Sequence, residues 1–164
     1  MNEVESFPPC IDTNSRVLIL GSMPGVQSIE AQQYYANPRN QFWLIVYSIF
    51  SMPLDEDYNE RISFIRKKGI ALWDVIRTCY RVGSLDSNIE NEKVNDFKWL
   101  YMNYPNLKLV AFNGTKAFAV YKKRVGFDLN RVVYKLLPST SPANTMKFEE
   151  KLKEWEAIVE YLTR

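Results

Sequence analysis

The stretch Arg16-Val-Leu-Ile-Leu-Gly21, which continues as Ser-Met-Pro-Gly25, decides the fold of this 164-residue chain. Four consecutive aliphatic residues between an arginine and a glycine predict a strand buried on both faces, as parallel strands usually are. Runs of the same character occur at residues 69–73, 107–112 and 131–137. Because ligands of parallel sheets bind beyond the carboxyl ends of the strands, the segments that follow these four runs are the first places to seek function.

Amphipathic segments between these runs predict helices at residues 38–51, 55–68, 91–103, 115–125 and 148–162. Alternating strands and helices predict an α/β fold, a three-layer α/β/α sandwich around a central, mostly parallel four-stranded sheet. With neither an internal repeat nor a linker, the chain is expected to form one domain over residues 1–164. Asn37 is the predicted N-cap of the first helix and Pro38 its first residue, which would place Asn40 in the first turn.

Composition removes several classes of chemistry. The chain has no histidine and two cysteines, which excludes histidine-dependent catalytic triads, typical zinc sites and four-cysteine iron–sulfur clusters. No metal and no cofactor are therefore expected. We expect Cys10 and Cys79 to be reduced, as in a cytoplasmic protein. The polar start at residues 1–6 is unlike a signal peptide, and no apolar run reaches membrane-spanning length.

Charge alone does not indicate a nucleic-acid partner, because 21 basic and 19 acidic residues give a net charge of +2. Two basic clusters, at residues 66–68 and 122–124, fall where predicted helices end. Cations are favoured at helix C-termini by the helix dipole, so we assign both clusters to that role.

Each predicted post-strand loop admits two interpretations. Residues 21–25 can present backbone amides to an anion, or can form a plain strand-to-helix turn. One of Tyr34 and Tyr35 is expected to lie against a base while the other packs inward. The spacing of Phe42 and Trp43 favours core positions over stacking. The hydroxyl-rich segment 137–144 can contact phosphates, or can form a capped turn before the last helix.

Three segments in this order resemble the motifs of the uracil-DNA glycosylase superfamily. The first motif, Gly-x-Asp/Asn-Pro, corresponds to Gly21-Ser22-Met23-Pro24-Gly25, and the last, His/Asn-Pro-Ser, corresponds to Leu137-Pro138-Ser139. Between them, Ala36-Asn-Pro-Arg-Asn-Gln-Phe-Trp43 is similar to a segment of the mismatch-specific and hypoxanthine branches. The resemblance extends over about residues 16 to 144.

Departures from the motifs point to one branch. Met23 and Leu137 are apolar where uracil-specific branches carry polar residues that position water or steady the departing base. The hypoxanthine branch is similar in this respect, and the asparagine thought to be catalytic there corresponds to Asn40. Asp74 lies near the position of a base-recognising asparagine in uracil-specific members and could orient a base NH. Residues 81–86 also look like a loop that is typical of the hypoxanthine branch.

The resemblance implies hydrolysis of an N-glycosidic bond to a deaminated base that has been flipped out of DNA. We favour a role for the Asn40 carbonyl oxygen in placing water, with the alternative that its NH2 group holds the base. The resemblance also implies that a wedge from the Pro142-Ala143-Asn144 region fills the space that the base vacates. The expected catalytic residues are Asn40 and Asp74; the expected base pocket is Gly21, Ser22, Met23, Tyr35, Phe42 and Asn113; and the expected DNA contacts are Pro24, Gly25, Ser139, Thr140, Ser141, Pro142, Ala143 and Asn144.

The expected partner is DNA with a deaminated or mismatched base, bound by a monomer with no membrane association. Hypoxanthine, uracil, xanthine and mismatched thymine all remain open as the preferred base. Two rival hypotheses are a damaged-DNA-binding module without catalysis and a small α/β enzyme acting on free nucleotides. Retention on duplex DNA at low salt would argue against the nucleotide enzyme, and base release would argue against the inactive module.

Overall fold

The computed structural model describes residues 3–162 of the predicted domain. Strands and helices alternate over most of its length. In chain order they are β1 (Glu3–Glu5), β2 (Val17–Gly21), α1 (Val26–Ala31), α2 (Phe42–Ile49), α3 (Tyr58–Lys67), β3 (Ile70–Asp74), β4 (Ile76–Tyr80), a 3-10 turn (Asp86–Asn88), β5 (Glu90–Val94), α4 (Phe97–Asn103), β6 (Leu109–Asn113), α5 (Thr115–Arg124), β7 (Val133–Leu137), α6 (Phe148–Trp155), a second 3-10 turn (Glu156–Ile158) and α7 (Val159–Leu162).

The central sheet has four parallel strands in the order β3-β2-β6-β7, which confirms the predicted fold class. The four predicted strands correspond to β2, β3, β6 and β7. From β2 the chain crosses first to β3 on one side and later to β6 on the other, so the strand order reverses beside β2. A crevice opens at such a reversal, beyond the carboxyl ends of the strands.

Two apolar cores cover the two faces of this sheet, because successive side chains of a strand point in opposite directions. Leu18 and Leu20 pack with residues of α4 and α5 in one core. Val17 and Ile19 pack with residues of α2, α3 and α6 in the other. Helices therefore lie on both faces, as the three-layer prediction requires.

A second sheet, antiparallel and ordered β1-β4-β5, was not predicted. Its strand β5 occupies residues 90–94, where a helix over 91–103 was expected, and that part of the prediction is wrong. The polar segment Glu90–Val94 pairs with β4 across the sheet, and this pairing outweighs its weak helical pattern. Helix α4 begins only at Phe97, where Asp96 accepts a hydrogen bond from the Trp99 backbone amide.

The predicted start of the first long helix is also wrong, because α2 begins at Phe42 rather than at Pro38. Asn37 instead closes a separate turn, in which its carbonyl accepts the Asn40 N–H at 2.9 Å and its side chain accepts the Arg39 N–H at 3.0 Å. Asn40 is thereby placed outside the helix, on the loop that faces the end of the sheet.

The expectations about the basic clusters and the cysteines hold. Both basic clusters lie in the last turns of helices, α3 and α5, as predicted. Both cysteines are buried as free thiols. No helix between residues 3 and 162 combines the length and apolar character that a membrane crossing requires.

Candidate active site

A cleft of about 600 Å³ opens beyond the carboxyl ends of β2, β3 and β6. The three segments that resemble glycosylase motifs all contribute to it, and the cleft brings together Gly21, Asn40 and Ser139 although they are distant in sequence. Its lining includes all of the predicted site residues except Phe42: Gly21, Ser22, Met23, Pro24, Gly25, Tyr35, Asn40, Asp74, Asn113, Ser139, Thr140, Ser141, Pro142, Ala143 and Asn144.

One side of the cleft, which we call the carboxamide wall, consists of Asn40, Asn113 and Thr140. Asn113 is the last residue of β6, and its side chain accepts the Thr140 N–H at 2.9 Å and donates to Thr140 Oγ1 at 3.0 Å. Thr140 Oγ1 in turn donates to Asn40 Oδ1 at 2.7 Å, and the same oxygen accepts the Phe42 N–H at 3.0 Å. Three loops are thus joined by side-chain hydrogen bonds.

These contacts change the assignment of two predicted residues. Thr140 is fully buried and its hydroxyl is engaged on both sides, so its predicted contact with a phosphate is wrong. The Asn40 carbonyl oxygen already accepts two hydrogen bonds, which fill its two lone pairs. The geometry therefore disfavours the expected placement of water by this oxygen and leaves the NH2 group to face the cleft.

The opposite side, which we call the carboxyl wall, consists of Gly21, Tyr35 and Asp74. The hydroxyl of Tyr35 and Oδ2 of Asp74 are buried and have no hydrogen-bond partner among the described residues. A methyl group at Gly21 would lie 2.7 Å from Asp74 Oδ1 and 3.3 Å from the Tyr35 hydroxyl. Only glycine leaves room for these polar atoms at the end of β2.

Burial shifts the acidity of both groups in this wall. Removal from solvent raises the pKa of Asp74 to about 7; the nearby Asp86 carboxylate adds to the rise and the Arg81 guanidinium opposes it. Burial also raises the pKa of Tyr35, and the Asp74 carboxylate acts in the same direction. The Asn113 amide opposes that shift, although no hydrogen bond of ordinary geometry joins it to Tyr35. Below about pH 7 the carboxyl wall therefore holds a protonated acid beside a neutral phenol.

The two neighbouring tyrosines both contribute to the lining of the cleft, and their hydroxyls lie in different surroundings. That one of them lies against a base stays a prediction. Tyr35 turns toward the cleft with a φ of 57°, a left-handed conformation that is strained for a tyrosine. Tyr34 packs inward, where its hydroxyl donates to the Pro8 carbonyl at 2.8 Å. Phe42 was predicted in the base pocket, and this is wrong: it is fully buried and stacks on Tyr35 with ring centroids 4.0 Å apart. Its α2 position supports the tyrosine ring from behind.

The loop from Ser139 to Asn144 forms one lip of the cleft. The hydroxyls of Ser139 and Ser141 each accept a backbone N–H at 3.2 Å, which leaves their own protons free to donate. Pro142 and Ala143 are exposed at the end of the loop. The Asn144 side chain donates to the Ser139 carbonyl at 3.1 Å and closes the loop on itself.

The loop after β2 is held from the opposite lip by residues 81–86. Ser22 donates to Asp86 Oδ1 at 2.6 Å, so its hydroxyl proton is already engaged within the protein. The buried Arg81 donates to the Pro24 carbonyl, and the Ser84 hydroxyl accepts the Val26 N–H at 2.8 Å. Met23 is buried and lines the cleft, where a thioether cannot activate water.

Three further residues were not singled out by the sequence. Arg39 and Lys116 line the mouth of the cleft and bring positive charge to it. Lys151 of α6 is buried, and its ammonium donates to Gln41 Oε1 at 3.0 Å and to the Asn144 carbonyl at 2.9 Å. Arg39 could have been found from its place within the Asn-Pro-Arg-Asn segment. Lys151 could not, because a lysine in an amphipathic helix is normally exposed.

The chemistry available at the cleft is that of neutral donors and the buried acid Asp74, with the cations of Arg39 and Lys116 at its mouth. Within the part of the chain that the structure describes, no three cysteine or acidic side chains are grouped closely enough to hold a metal ion. The side chains suit hydrogen bonding to a planar polar ligand and stabilisation of developing negative charge.

Comparisons with known proteins agree with this architecture. A family model described as the Uracil DNA glycosylase superfamily matches residues 8–163. A protein named hypoxanthine DNA glycosylase from Methanosarcina acetivorans is 39% identical over 155 residues, which cover 93% of this chain and 95% of that protein. A protein of the same name from Methanosarcina barkeri is 38% identical over 154 residues, covering 92% and 94%. The solution NMR structure of a candidate uracil DNA glycosylase from M. acetivorans superposes with a TM-score of 0.85 at 37% identity, covering 99% of this chain and 100% of that one.

Proposed function

Because the chain belongs to the uracil DNA glycosylase superfamily, we propose that it hydrolyses the N-glycosidic bond of hypoxanthine in DNA and so begins base excision repair. The observation that carries the proposal is the arrangement of the cleft. Buried polar atoms without partners, on Tyr35 and Asp74, share one cavity with the Asn40 amide. Unpaired buried polar groups are unfavourable, so a site that keeps them is suited to a ligand that pairs with them.

The carboxyl wall suits the edge that deaminated bases share. Hypoxanthine presents a carbonyl oxygen beside a ring N–H, whereas adenine presents an amino group beside an unprotonated ring nitrogen. The protonated carboxyl of Asp74 can donate to that carbonyl and accept from that N–H at once, as a carboxamide would. Adenine presents the reverse pattern of donor and acceptor. The raised pKa of Asp74 supports this neutral form.

Cleavage proceeds as the glycosidic bond lengthens, with positive charge developing on the sugar and negative charge on the base. The Asn40 NH2 group can donate to the departing base, and a neutral Asp74 adds no opposing charge. Preorganised donors of this kind stabilise the departing anion without a metal. Water then adds to the anomeric carbon of the sugar and loses a proton, and the departed base anion takes up a proton, so that the products are an abasic site and the neutral free base.

DNA is held at the mouth of the cleft. The free hydroxyl protons of Ser139 and Ser141 suit phosphate oxygens, as do the cations of Arg39 and Lys116. Pro142 and Ala143 are exposed at the lip, where they can enter the space that the flipped base vacates. One cleft in one domain accommodates one lesion, so we expect the protein to act as a monomer.

The test is base release from a panel of duplexes that contain deoxyinosine, deoxyuridine, deoxyxanthosine or a G·T mismatch, each cleaved with alkali after incubation. We expect the deoxyinosine strand to break fastest. Asn40→Ala should reduce that rate by about 10²- to 10³-fold, the effect of deleting one preorganised donor to a developing anion. The variant should remain folded and should still bind the duplex.

The outcomes separate the alternatives. Tight binding to the damaged duplexes with no base release by the wild-type protein would indicate a binding module without catalysis. Action on free nucleotides with no retention on DNA would indicate a nucleotide enzyme. Release by Asn40→Ala at the wild-type rate would remove Asn40 from the catalytic residues.

A further inference from the structure

The hydrogen bonds of the carboxamide wall form a chain whose direction is fixed at both ends. A backbone N–H can only donate. The Thr140 N–H therefore identifies the Asn113 atom that it contacts as the carbonyl oxygen, and the Phe42 N–H does the same for Asn40. The orientation of both side-chain amides thus follows from the backbone and needs no assumption about which atom is nitrogen.

The direction of the middle bonds follows from these ends. With its oxygen turned to the Thr140 amide, Asn113 directs its NH2 group at Thr140 Oγ1, 3.0 Å away. The threonine hydroxyl then accepts from Asn113 and has one proton of its own, which it donates to Asn40 Oδ1 at 2.7 Å. Two donors converge on the Asn40 oxygen, and its NH2 group is the part left to face the cleft.

We propose that Asn113 and Thr140 are positioning residues that hold Asn40 with its NH2 group toward the substrate, so that Asn40 acts as a hydrogen-bond donor to the departing base. This inference rests on the proposed glycosylase function and specifies how its central residue works. Polarisation along the chain adds to the effect, because donation to Oδ1 makes the NH2 protons of an amide more acidic. Rotation of Asn40 about its last bond would break both bonds to its oxygen.

The burial of the chain supports a role in orientation. Thr140 is completely buried, and the three side chains come from three separate segments: the end of β6, the loop before α2 and the loop after β7. Lys151 adds a further tie, because it joins Gln41, next to Asn40, to the Asn144 carbonyl of the third loop. The loops can therefore shift only together, which suits the fixed geometry that a transition-state donor needs.

Substitution of Thr140 tests the middle of the chain. Thr140→Val keeps the shape and removes the hydroxyl, so Asn40 loses a donor and Asn113 loses an acceptor. We expect the rate of the chemical step on a deoxyinosine duplex, measured in single turnover, to fall by about 10-fold or more while duplex affinity changes less than about twofold, since misplacement affects the transition state more than binding. Thr140→Ser should recover most of that loss. Thr13→Val, at an exposed threonine outside the cleft, is the matched control.

Asn113→Asp reverses the hydrogen bond between residue 113 and the Thr140 hydroxyl. It also makes the rate depend on pH, which a structural defect that is the same at every pH would not do. An ionised carboxyl cannot donate to Thr140, so the threonine proton is drawn to it and away from Asn40. A protonated carboxyl can donate as the amide does, so the activity of the variant relative to wild type should rise as the pH falls. Tyr35 is next to this position, and the charged or titratable groups that line the same cleft are Asp74, Asp86, Arg39 and Lys116. Dividing the rate of the variant by the wild-type rate at each pH removes the titration of Asp74 from the comparison.

The orientation itself can be observed without turnover. The side-chain amide signals of Asn40, assigned by their loss in Asn40→Ala, should shift in Thr140→Val and stay near wild type in Thr140→Ser. Unshifted signals in Thr140→Val, or a full rate of base release by that variant, would overturn the proposal. If the signals respond but the wild-type protein releases no base from any duplex, the proposed function fails while the orientation of Asn40 stands.

Discussion

The two walls of the cleft treat their polar atoms in opposite ways. In the carboxamide wall, the Asn113 and Thr140 side chains and the Asn40 oxygen are paired within the protein. In the carboxyl wall, Tyr35 and Asp74 keep buried polar atoms unpaired. The first wall is a preorganised support that needs no ligand to be stable. The second is incomplete without one, and for this reason we propose it as the side that recognises the base.

The difference between the two walls also affects the free energy of unfolding. Pairing makes the carboxamide wall contribute to folding, because each buried donor meets an acceptor. The carboxyl wall weakens the fold, because a buried acid and a buried hydroxyl have lost water without replacing it. Substitutions in the carboxyl wall can therefore lower activity without lowering stability. Substitutions in the carboxamide wall are expected to lower both.

Among substitutions in the carboxyl wall, the largest effect is expected from Gly21→Ala, which fills that wall. The added methyl group would lie 2.7 Å from Asp74 Oδ1, so the acid or the strand must move. We expect base release to fall by about 10²-fold, since a misplacement of about 1 Å has effects of that size. Gly126→Ala is the matched control, because its methyl would lie 2.8 Å from Asp128 Oδ2 outside the cleft. It should lower stability and leave base release near wild type. Equal losses in the two variants would show that Gly21 acts only through the fold.

A smaller, pH-dependent effect is expected from Asp74→Asn. Asparagine presents one donor group and one acceptor at every pH, as the neutral acid does. Wild-type base release should fall by up to about tenfold per pH unit above pH 7 as the acid ionises, and the variant should not follow that fall. The variant should therefore match wild type within severalfold at pH 6 and exceed it at pH 9. A wild-type rate that climbs through pH 7 would mean that the carboxylate is the active form.

The same substitution has a stability signature whose sign is fixed by linkage. The pKa of Asp74 is raised from 3.8 to about 7, so below pH 3.8 the acid is neutral in both states and its burial carries no charge penalty. Between these values the unfolded chain releases the proton first, and the free energy of unfolding falls by about 1.4 kcal/mol per pH unit. Once the pH exceeds about 7, the stability that depends on a neutral Asp74 has been lost. Denaturant titrations should show Asp74→Asn gaining stability over wild type as the pH rises through this window.

The smallest effect is expected from Tyr35→Phe, which removes an unpaired hydroxyl. Base release should decrease by about 3- to 10-fold, the worth of one hydrogen bond of about 1 kcal/mol, while thermal stability stays constant or rises. Tyr101→Phe gives the contrast, because the Tyr101 and Tyr121 hydroxyls are bonded to each other at 2.7 Å. That variant should lose stability and keep its activity. A loss of stability in Tyr35→Phe would indicate that its hydroxyl is paired within the fold.

Much of this arrangement follows from the sequence by itself. Short runs of mostly aliphatic residues predicted the four parallel strands, because strands covered by helices on both faces are apolar at most positions. The loops that carry the glycosylase motifs follow those strands, so their meeting at one edge of the sheet was predictable as well. Asn40 and Asp74 could be singled out before any coordinates were available because the motifs mark their positions.

Tertiary structure alone decided which atoms of those residues are free. The bonds among Asn40, Asn113 and Thr140 join positions up to 100 residues apart, and no local pattern encodes them. The burial of Lys151 and the strand at residues 90–94 likewise depend on neighbours brought close by folding. Sequence periodicity reports which side of an element is apolar. Whether a polar atom is paired or left for a ligand depends on distances between separate loops, and only the folded chain sets those distances.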